Sequence, residues 1–351
     1  MTEETTDDLP VLTAVREVHR FDEEALEAYL QRALPDFGSG LTIEQYVGGS
    51  SNPTFLLTTD AGSWVLRKRP PGNLLNSAHQ VDREHRVMHA LRDSDVPVPK
   101  MHLFCEDDTV IGQQFYVMEQ IEGRVTKSEF PNFTPAQRRA VYDDFARVLA
   151  ALHSVDYRAV GLENHGRPGN YFARQISRWS KQYRAAQTDR VEAMEKLIEW
   201  MPENIPEDDE TVVIHGDYRI GNVLIHPTEP KLVGVLDWEL STLGHPLGDL
   251  SYHVAYAHHG EFVPFLDELD DRGIPTEQEW RDAYCAYAGR GEVPNWNFYT
   301  AYNLFRLVGI IQGVYKRGLD GIVSSEFELD AQRLRVAEAA DRAWELVETM
   351  S

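Results

Sequence analysis

Apolar and polar positions follow two different periods in the first third of the chain. Over residues 21–34 apolar side chains recur every three or four positions, which predicts an amphipathic helix that ends before Pro35. Five later stretches are β-rich or alternate between apolar and polar residues: "LTIEQYV", "TFLLTT", "SWVLRKR", "MHLFCED" and "QQFYVMEQI". A charged amphipathic segment with Val81, Val87, Met88 and Leu91 separates the third stretch from the fourth. The pattern predicts a mostly antiparallel sheet with one helix inserted.

Helical periodicity dominates from about Thr134 onwards. "PAQRRAVYDDFARVLAALHSV" and "ELDAQRLRVAEAADRAWELVETM" predict long amphipathic helices, and residues 211–240 interrupt the helical pattern. We therefore expect an α+β fold with two lobes. The β-rich N-terminal lobe covers residues 1–120, including the leading helix at about 21–34, and the helical C-terminal lobe covers residues 121–351.

Charge and composition narrow the classes of partner. The formal net charge of -23 argues against a nucleic-acid partner, because such binding depends on neutralising phosphates with Lys and Arg. No apolar run approaches the ~20 residues that cross a bilayer, and the acidic start lacks the features of a secretory signal. Cys105 and Cys285 are too few for a disulfide framework. We expect a cytoplasmic protein that has no membrane contact and binds a small molecule.

The most informative stretch is "VVIHGDYRIGNVLIH", residues 212–226, with "KLVGVLDWE" after the turn "PTEP". The two β-runs on either side of "PTEP" should pair as a hairpin. Asn222 opens the first run and Asp237 closes the second, so both should lie at the open end of the hairpin. Asp217 lies in the loop that leads to the same end.

This set of side chains suits phosphoryl transfer. That reaction needs a base for the proton of the nucleophile and oxygen ligands for Mg²⁺ on the nucleotide phosphates. Asp217 can act as the base, and Asn222 and Asp237 can bind the metal ion. The alternative is a polar turn whose Asp and Asn cap the neighbouring backbone. The spacing His-x-Asp-x4-Asn, followed by Asp after a hairpin, favours the kinase interpretation.

The motifs "HGDYRIGNVL", "GVLDWE" and "HPLGDLSY" resemble the aminoglycoside phosphotransferase and choline kinase superfamily. These are small-molecule kinases with a protein-kinase-like fold, and the chain is most similar to the branch that also occurs fused to acyl-CoA dehydrogenases. The resemblance covers about residues 41–321. It implies an ATP- and Mg²⁺-dependent transfer to a small-molecule hydroxyl, with Asp217 as the catalytic base and Asn222 and Asp237 as metal ligands. It further implies that Asp249 braces the catalytic loop, that His215 orients it and that Glu239 touches a second metal or the substrate.

The first third should supply the nucleotide site. The turn in "VGGSSNPTF" is the candidate phosphate cover, with Gly49, Ser50, Ser51 and Asn52 as donors. In "WVLRKRP", strand alternation places Arg67 on the face of Val65 and Lys68 outside, so we expect Arg67 to bind phosphate. Lys68 is the alternative, because a shift of one residue exchanges the two.

The acid that pairs with this cation should lie on the following helix, where Glu84 is well placed and Asp82 and Arg83 are expected to face solvent. "FYVMEQIEG" resembles the kinase hinge, with Met118 at the adenine pocket and Glu119 at the start of the linker. Without these neighbours, the same charges would be an exposed strand edge and surface ion pairs.

The acceptor should bind in the helical part. "NWNFYTAYNLFRLVGIIQGVYKRG" is the candidate, with Trp296, Tyr299, Tyr302, Arg306 and Tyr315 at helical spacing, although such a helix is more often part of the core. The acidic composition is compatible with an aminoglycoside, whereas the resemblance to domains that accompany acyl-CoA dehydrogenases indicates a hydroxylated acyl thioester.

Two other functions fit part of this pattern. A metal-dependent hydrolase would use the ligands His215, Asp217, Asp237, His245, Asp249 and His253, but it would leave Asn222 without a role. A non-catalytic nucleotide-binding module is disfavoured, because the base and both metal positions are present.

Overall fold

A computed structural model describes residues 10–47, 52–70, 81–125, 133–261, 263–321 and 329–350. The chain divides into two compact units. The first contains residues 1–148, 156–165 and 220–241, and the second contains residues 149–155, 166–219 and 242–351. The lobe boundary near residue 120 stays a prediction from the sequence.

A six-stranded antiparallel sheet forms the centre of the first unit. Its strands are β1 (Leu12–Thr13), β2 (Thr42–Tyr46), β3 (Thr54–Thr59), β4 (Gly62–Lys68), β5 (Met101–Cys105) and β6 (Phe115–Glu119), in the order β1-β2-β3-β4-β6-β5. All five predicted strands are present. Strand β1 was not predicted, since two residues are too few to show a period.

Helix α1 (Glu23–Ala33) supplies apolar side chains to the core of this unit. The Asp22 carboxylate caps the helix by accepting a hydrogen bond from the backbone N–H of Ala25 at 2.9 Å. Leu26 and Leu30 are fully buried in one cluster with Phe55, Leu66 and Val117 of the sheet, as the periodicity of residues 21–34 predicted.

The predicted hairpin also belongs to the first unit. Strands β8 (Val223–Ile225) and β9 (Leu232–Val235) pair antiparallel, with Val223 opposite Val235. One step beyond this pair, the backbone N–H of Leu236 donates to the carbonyl of Asn222 at 2.8 Å. Asn222 and the residue before Asp237 are therefore held side by side at the end of the hairpin that the sequence predicted.

Two further helices lie in or enter the first unit. Helix α2 (Val81–Leu91) contacts β5 and β6. Helix α3 (Pro135–His153) contributes its residues up to Val148, and its Asp144 carboxylate accepts a hydrogen bond from the N–H of Leu232 at 2.7 Å.

The second unit is mainly helical. Its helices are α4 (Tyr171–Ala186), α5 (Glu192–Trp200), α6 (Pro246–Tyr256), α7 (Leu269–Arg272), α8 (Glu277–Ala288), α9 (Trp296–Leu319) and α10 (Leu329–Glu348). Helix α9 packs against α4, α6 and α10. A short ribbon pairs β7 (Val212–Ile214) with β10 (Thr242–Gly244), which the sequence did not reveal.

Candidate active site

Arg67 is the centre of a charged network in the first unit. Its Nε lies 2.8 Å from Oε2 of Glu84, and its Nη2 donates to Oδ1 of Asp237 at 2.8 Å. The Glu84 carboxylate also accepts hydrogen bonds from the Tyr116 hydroxyl at 2.9 Å and from the Asn52 amide at 2.6 Å. The structure thus brings together the predicted cation, its predicted acid and the aspartate that ends the hairpin.

Burial and charge act in opposite directions on this arginine. Burial lowers the pKa of Arg67, but the neighbouring Glu84 and Asp237 outweigh it and hold the pKa above its ordinary value. Glu84 is 1% exposed, so its charge is compensated by Arg67 and two neutral donors rather than by water. The side chain of Arg67 therefore keeps its charge and its orientation.

Lys68 lies on the other face of β4, as strand alternation requires, but the expectation that it points outside was wrong. It is 1% exposed on the same face as Leu66, and its Nζ donates to Oε1 of Gln113 at 2.9 Å and lies over the ring of Phe21. Burial lowers the pKa of Lys68 to about 8. Only Arg67 of the pair contacts Glu84 and Asp237.

Arg83 was also predicted incorrectly. The sequence suggested a solvated side chain, whereas Arg83 is half-buried and donates to two backbone carbonyls, those of His165 at 2.6 Å and Ser241 at 3.1 Å. Asp82 is exposed, as expected. No local pattern signals the role of Arg83, because its partners lie 82 and 158 residues away along the chain.

Asn222 lies directly before β8, and Asp237 lies two residues after β9. Asn222 is 6% exposed. Asp237 adopts left-handed backbone angles, φ 64° and ψ 56°, which are uncommon outside glycine and favoured more by Asp and Asn than by other residues. The short turn Trp238–Leu240 follows, in which Glu239 is half-buried. An amide oxygen and a carboxylate at one end of a hairpin are the hard ligands that Mg²⁺ prefers.

The "HGD" loop lies in the second unit, where Asp249 of α6 holds its backbone. Its two carboxylate oxygens accept hydrogen bonds from the N–H groups of His215 at 2.7 Å and Gly216 at 2.8 Å. His153 Nε2 lies 3.4 Å from the same carboxylate, and its Nδ1 lies 2.8 Å from the Tyr284 hydroxyl. Burial alone would raise the pKa of Asp249, but these partners lower it, so the carboxylate stays ionised.

Side-chain hydrogen-bond donors of the second unit lie close to the Asp217 carboxylate. Its Oδ2 lies 3.5 Å from Nε of Arg219, and the buried Tyr252 hydroxyl forms a side-chain hydrogen bond with it. Burial and the charge of Asp217 raise the pKa of Tyr252, so this hydroxyl remains a donor. His215 is fully buried, and its Nδ1 accepts a hydrogen bond from the N–H of Asp217 at 3.2 Å, consistent with an orienting role.

The predicted acceptor-lining residues of α9 are buried. Trp296 donates to Glu277, Tyr299 stacks on His245, and Tyr302 packs edge-on against Phe172. Arg306 donates to the carbonyl of Gly216 at 2.6 Å and lies over the ring of Tyr252. Tyr315 is buried as well. Arg306 therefore contacts the "HGD" loop itself, and acceptor binding by this helix stays a prediction.

The remaining nucleotide-site predictions concern the sheet. Gly49, Ser50 and Ser51 lie outside the described residues. Met118 is buried on β6 opposite Val65, and the exposed Glu119 accepts a hydrogen bond from the N–H of Lys100 at 3.1 Å. Contact of Met118 and Glu119 with a nucleotide stays a prediction.

Within the described ranges, no group of three or more His, Cys, Asp or Glu side chains is arranged to hold a metal ion. In the same part of the chain, no helix combines the length and apolar character needed to cross a membrane.

The family model described as "Phosphotransferase enzyme family" matches residues 42–294. The chain belongs to the phosphotransferase enzyme family. A crystal structure from Ralstonia eutropha, assigned as an aminoglycoside phosphotransferase, is 45% identical, with a TM-score of 0.85, over 94% of this chain and 99% of that chain. Membership of this family confirms the protein-kinase-like fold, with an antiparallel-sheet N-lobe and a mainly helical C-lobe, and disfavours the hydrolase alternative.

Two further similarities concern a longer relative and the fold. Acyl-CoA dehydrogenase family member 11 from Homo sapiens is 44% identical over 325 residues, which are 90% of this chain and 42% of that protein. The chain thus spans less than half the length of that relative, and the predicted resemblance to this branch is confirmed. A thermostable mutant of aminoglycoside phosphotransferase APH(4)-Ia, solved as a ternary complex with AMP-PNP and hygromycin B, shares the fold at 15% identity and a TM-score of 0.60. That alignment covers 92% of this chain and 98% of the other.

Proposed function

We propose that this phosphotransferase is an ATP- and Mg²⁺-dependent kinase that transfers the γ-phosphate to a hydroxyl group of a small molecule. The observation that carries the proposal is the double contact of Arg67, which joins a buried acid of α2 to the aspartate that ends the hairpin. A cation held in this way is already oriented and can balance nucleotide phosphate charge. The complex of APH(4)-Ia with AMP-PNP supports a nucleotide substrate.

Asn222 and Asp237 are the residues that we propose to hold Mg²⁺. Their oxygen donors fit a hard divalent cation, and the hydrogen bond between Leu236 and Asn222 keeps the two segments adjacent. When bound, the ion neutralises charge on the transferring phosphate and on the departing diphosphate. Asn52, Met118 and Glu119, together with Gly49, Ser50 and Ser51, are the proposed nucleotide contacts.

Asp217 is the proposed catalytic base. It accepts the proton of the acceptor hydroxyl while the hydroxyl oxygen bonds to the γ-phosphorus, the bond from that phosphorus to the β-phosphate oxygen breaks, and ADP leaves. Asp249 and Arg306 fix the backbone on which Asp217 depends, because they bind the N–H groups of His215 and Gly216 and the carbonyl of Gly216. This pre-organisation lets the base meet the hydroxyl without rearrangement.

The acceptor that we propose is a hydroxylated metabolite, with a hydroxyacyl-CoA as the first candidate. Support comes from the name of the human relative, an acyl-CoA dehydrogenase family member. The APH(4)-Ia complex contains hygromycin B, so aminoglycosides are the alternative class of acceptor. Measuring ATP consumption with hydroxyacyl-CoA esters, aminoglycosides and other hydroxylated metabolites separates these classes.

Asp217→Asn is the decisive variant. We expect it to abolish turnover, with a loss of about 10³-fold or more, while the affinity for an ATP analogue stays near that of the wild type. Asp341→Asn, on the exposed surface of α10, is the matched control and should retain full activity. Near-normal turnover in Asp217→Asn would reject the assigned base. ATP binding without consumption for any acceptor would indicate a non-catalytic module.

A further inference from the structure

Helix α2 contacts the segment after Asp237 directly, through a residue other than the partner of Arg67. Arg83 precedes Glu84 in the chain, and its Nη2 donates to the carbonyls of His165 at 2.6 Å and Ser241 at 3.1 Å. Ser241 lies four residues after Asp237 and ends the turn Trp238–Leu240. Glu84 thus reaches the hairpin end through Arg67, whereas Arg83 contacts the residue behind the turn directly.

The two carbonyls bound by Arg83 belong to a buried junction. His165 is fully buried, Ser241 is 2% exposed, and Nε2 of His165 lies 3.1 Å from Oγ of Ser241. A guanidinium presents several N–H donors in a fixed plane, so one arginine can hold two carbonyls at a defined separation. Arg83 therefore fastens α2 to both segments at once.

Asp237 depends on such fastening because of its backbone conformation. Its left-handed angles are less strained for Asp than for most residues, but they still cost more than they would for glycine, so contacts on both sides of Asp237 help to hold them. On one side, the Leu236 N–H is bonded to Asn222 at 2.8 Å; on the other, the Ser241 N–H is bonded to the carbonyl of Trp238 at 3.0 Å. Arg83 donates to the carbonyl of the same Ser241 at 3.1 Å.

We propose that Arg83 is a positioning residue for Asp237: by fixing Ser241, it keeps the carboxylate of Asp237 in the orientation needed for the divalent cation. This inference rests on the proposed function, in which Asp237 is a metal ligand. Loss of Arg83 should weaken binding of the divalent cation and so raise the Mg²⁺ concentration that the reaction needs, because Arg67, Glu84 and Asp217 are unchanged. Raising the Mg²⁺ concentration should restore the rate.

The test compares Arg83→Met and Arg83→Lys with Arg86→Met, a control on the exposed face of the same helix. We expect Arg83→Met to raise the Mg²⁺ concentration for half-maximal rate by about 10- to 100-fold, the range found when a partner of a metal ligand is removed. Its rate at saturating Mg²⁺ should approach that of the wild type. Arg83→Lys should lie between the two, and it carries the comparison if the methionine variant does not fold. Arg86→Met should match the wild type.

Two direct measurements accompany the kinetics. Binding of Mn²⁺ in the presence of AMP-PNP, followed by electron paramagnetic resonance, should weaken by the same factor by which the half-saturating Mg²⁺ concentration rises. Hydrogen exchange of the amides of residues 236–241 should accelerate in Arg83→Met. An unchanged half-saturating Mg²⁺ concentration, or a lower rate at every Mg²⁺ concentration without a change in half-saturation, would overturn the proposal.

Failure of the proposed function looks different from failure of this inference. A wild-type protein that shows no Mg²⁺-dependent ATP consumption rejects the kinase assignment, and the metal-positioning role falls with it. A wild-type enzyme that is active, together with unchanged amide exchange and Mn²⁺ affinity in both Arg83 variants, rejects the role of Arg83 alone.

Discussion

Arg67 and Lys68 show that one step along a strand separates two chemical roles. Both carry a long basic side chain, yet Arg67 contacts Glu84 and Asp237 whereas Lys68 lies on the core face with Leu66. Alternation predicted that the two would face opposite sides. It could not predict burial of Lys68, because the strand pattern does not show whether its second face is covered.

The burial of Lys68 predicts a specific dependence of stability on pH. Its pKa is lowered to about 8 from the ordinary 10.5, so between these values the unfolded chain holds a proton that the folded chain lacks. The free energy of unfolding should therefore rise with pH over this interval, by at most about 1.4 kcal/mol per pH unit. In Lys68→Met this part of the rise should be absent. Below pH 8 the lysine is charged in both states, and its burial costs stability throughout.

Urea unfolding of the wild type and Lys68→Met at pH 7, 8, 9 and 10 measures this difference. The tyrosines titrate in both proteins, so subtracting the two curves isolates the lysine. Parallel curves across the whole range would show that the ammonium of Lys68 is solvated when charged.

At the scale of elements, α9 shows the limit of a periodic pattern. Its aromatic and arginine residues recur at helical spacing, which correctly indicates that they face inward. An inward face can contact a ligand, the core or a catalytic loop, and periodicity does not distinguish these. In the structure, Tyr302 packs on other aromatic rings, whereas Arg306 donates to the carbonyl of Gly216.

Arg306→Met should therefore impair the chemical step. Loss of a charged donor lets the Gly216 carbonyl and the following Asp217 shift, and small displacements of a catalytic group cost about 10- to 100-fold in rate. We expect kcat to fall in this range while KM for ATP changes little. Arg317→Met, on the exposed surface of the same helix, is the control. Single-turnover kinetics report the effect, and a rise in the acceptor KM with kcat unchanged would instead support contact with the acceptor.

The hairpin of β8 and β9 was predictable because its signals are local. Two β-runs, a turn and the flanking Asn222 and Asp237 all lie within sixteen residues of sequence, and pairing alone places the ends together. The contacts of Arg83 and Tyr252 were not predictable, since they join segments far apart in the chain. Local patterns thus predict the polar groups of the candidate site, whereas the contacts that orient them are visible only in the tertiary structure.

The same distinction holds for the whole molecule. Strands β2 to β6 each show a β pattern of their own, so a mostly antiparallel sheet could be predicted, whereas the position of β6 between β4 and β5 could not. Strands β1 and β10 have two and three residues and form only by pairing with β2 and β7. Short strands of this kind take their structure from the partner rather than from their own pattern.

Buried histidines in both units should make the protein sensitive to acid. Burial lowers the pKa of His165 to about 3, and burial also lowers the pKa of His253 and His258. Below about pH 6.5 the unfolded chain protonates these side chains and the folded chain does not. Each such histidine therefore removes stability as the pH falls, by up to about 1.4 kcal/mol per pH unit.

His165→Gln tests one of these contributions. Glutamine can still bond to the Ser241 hydroxyl but does not titrate. Between pH 6.5 and 4 the free energy of unfolding should therefore fall less steeply than in the wild type, and the slopes should differ by up to about 1.4 kcal/mol per pH unit, the contribution of one proton. Chemical denaturation at several pH values measures that slope. His89→Gln, at an exposed position of α2, is the matched control and should follow the wild-type curve. Equal slopes in all three proteins would mean that His165 accepts a proton in the folded state, against the burial and the nearby Arg83 charge that lower its pKa.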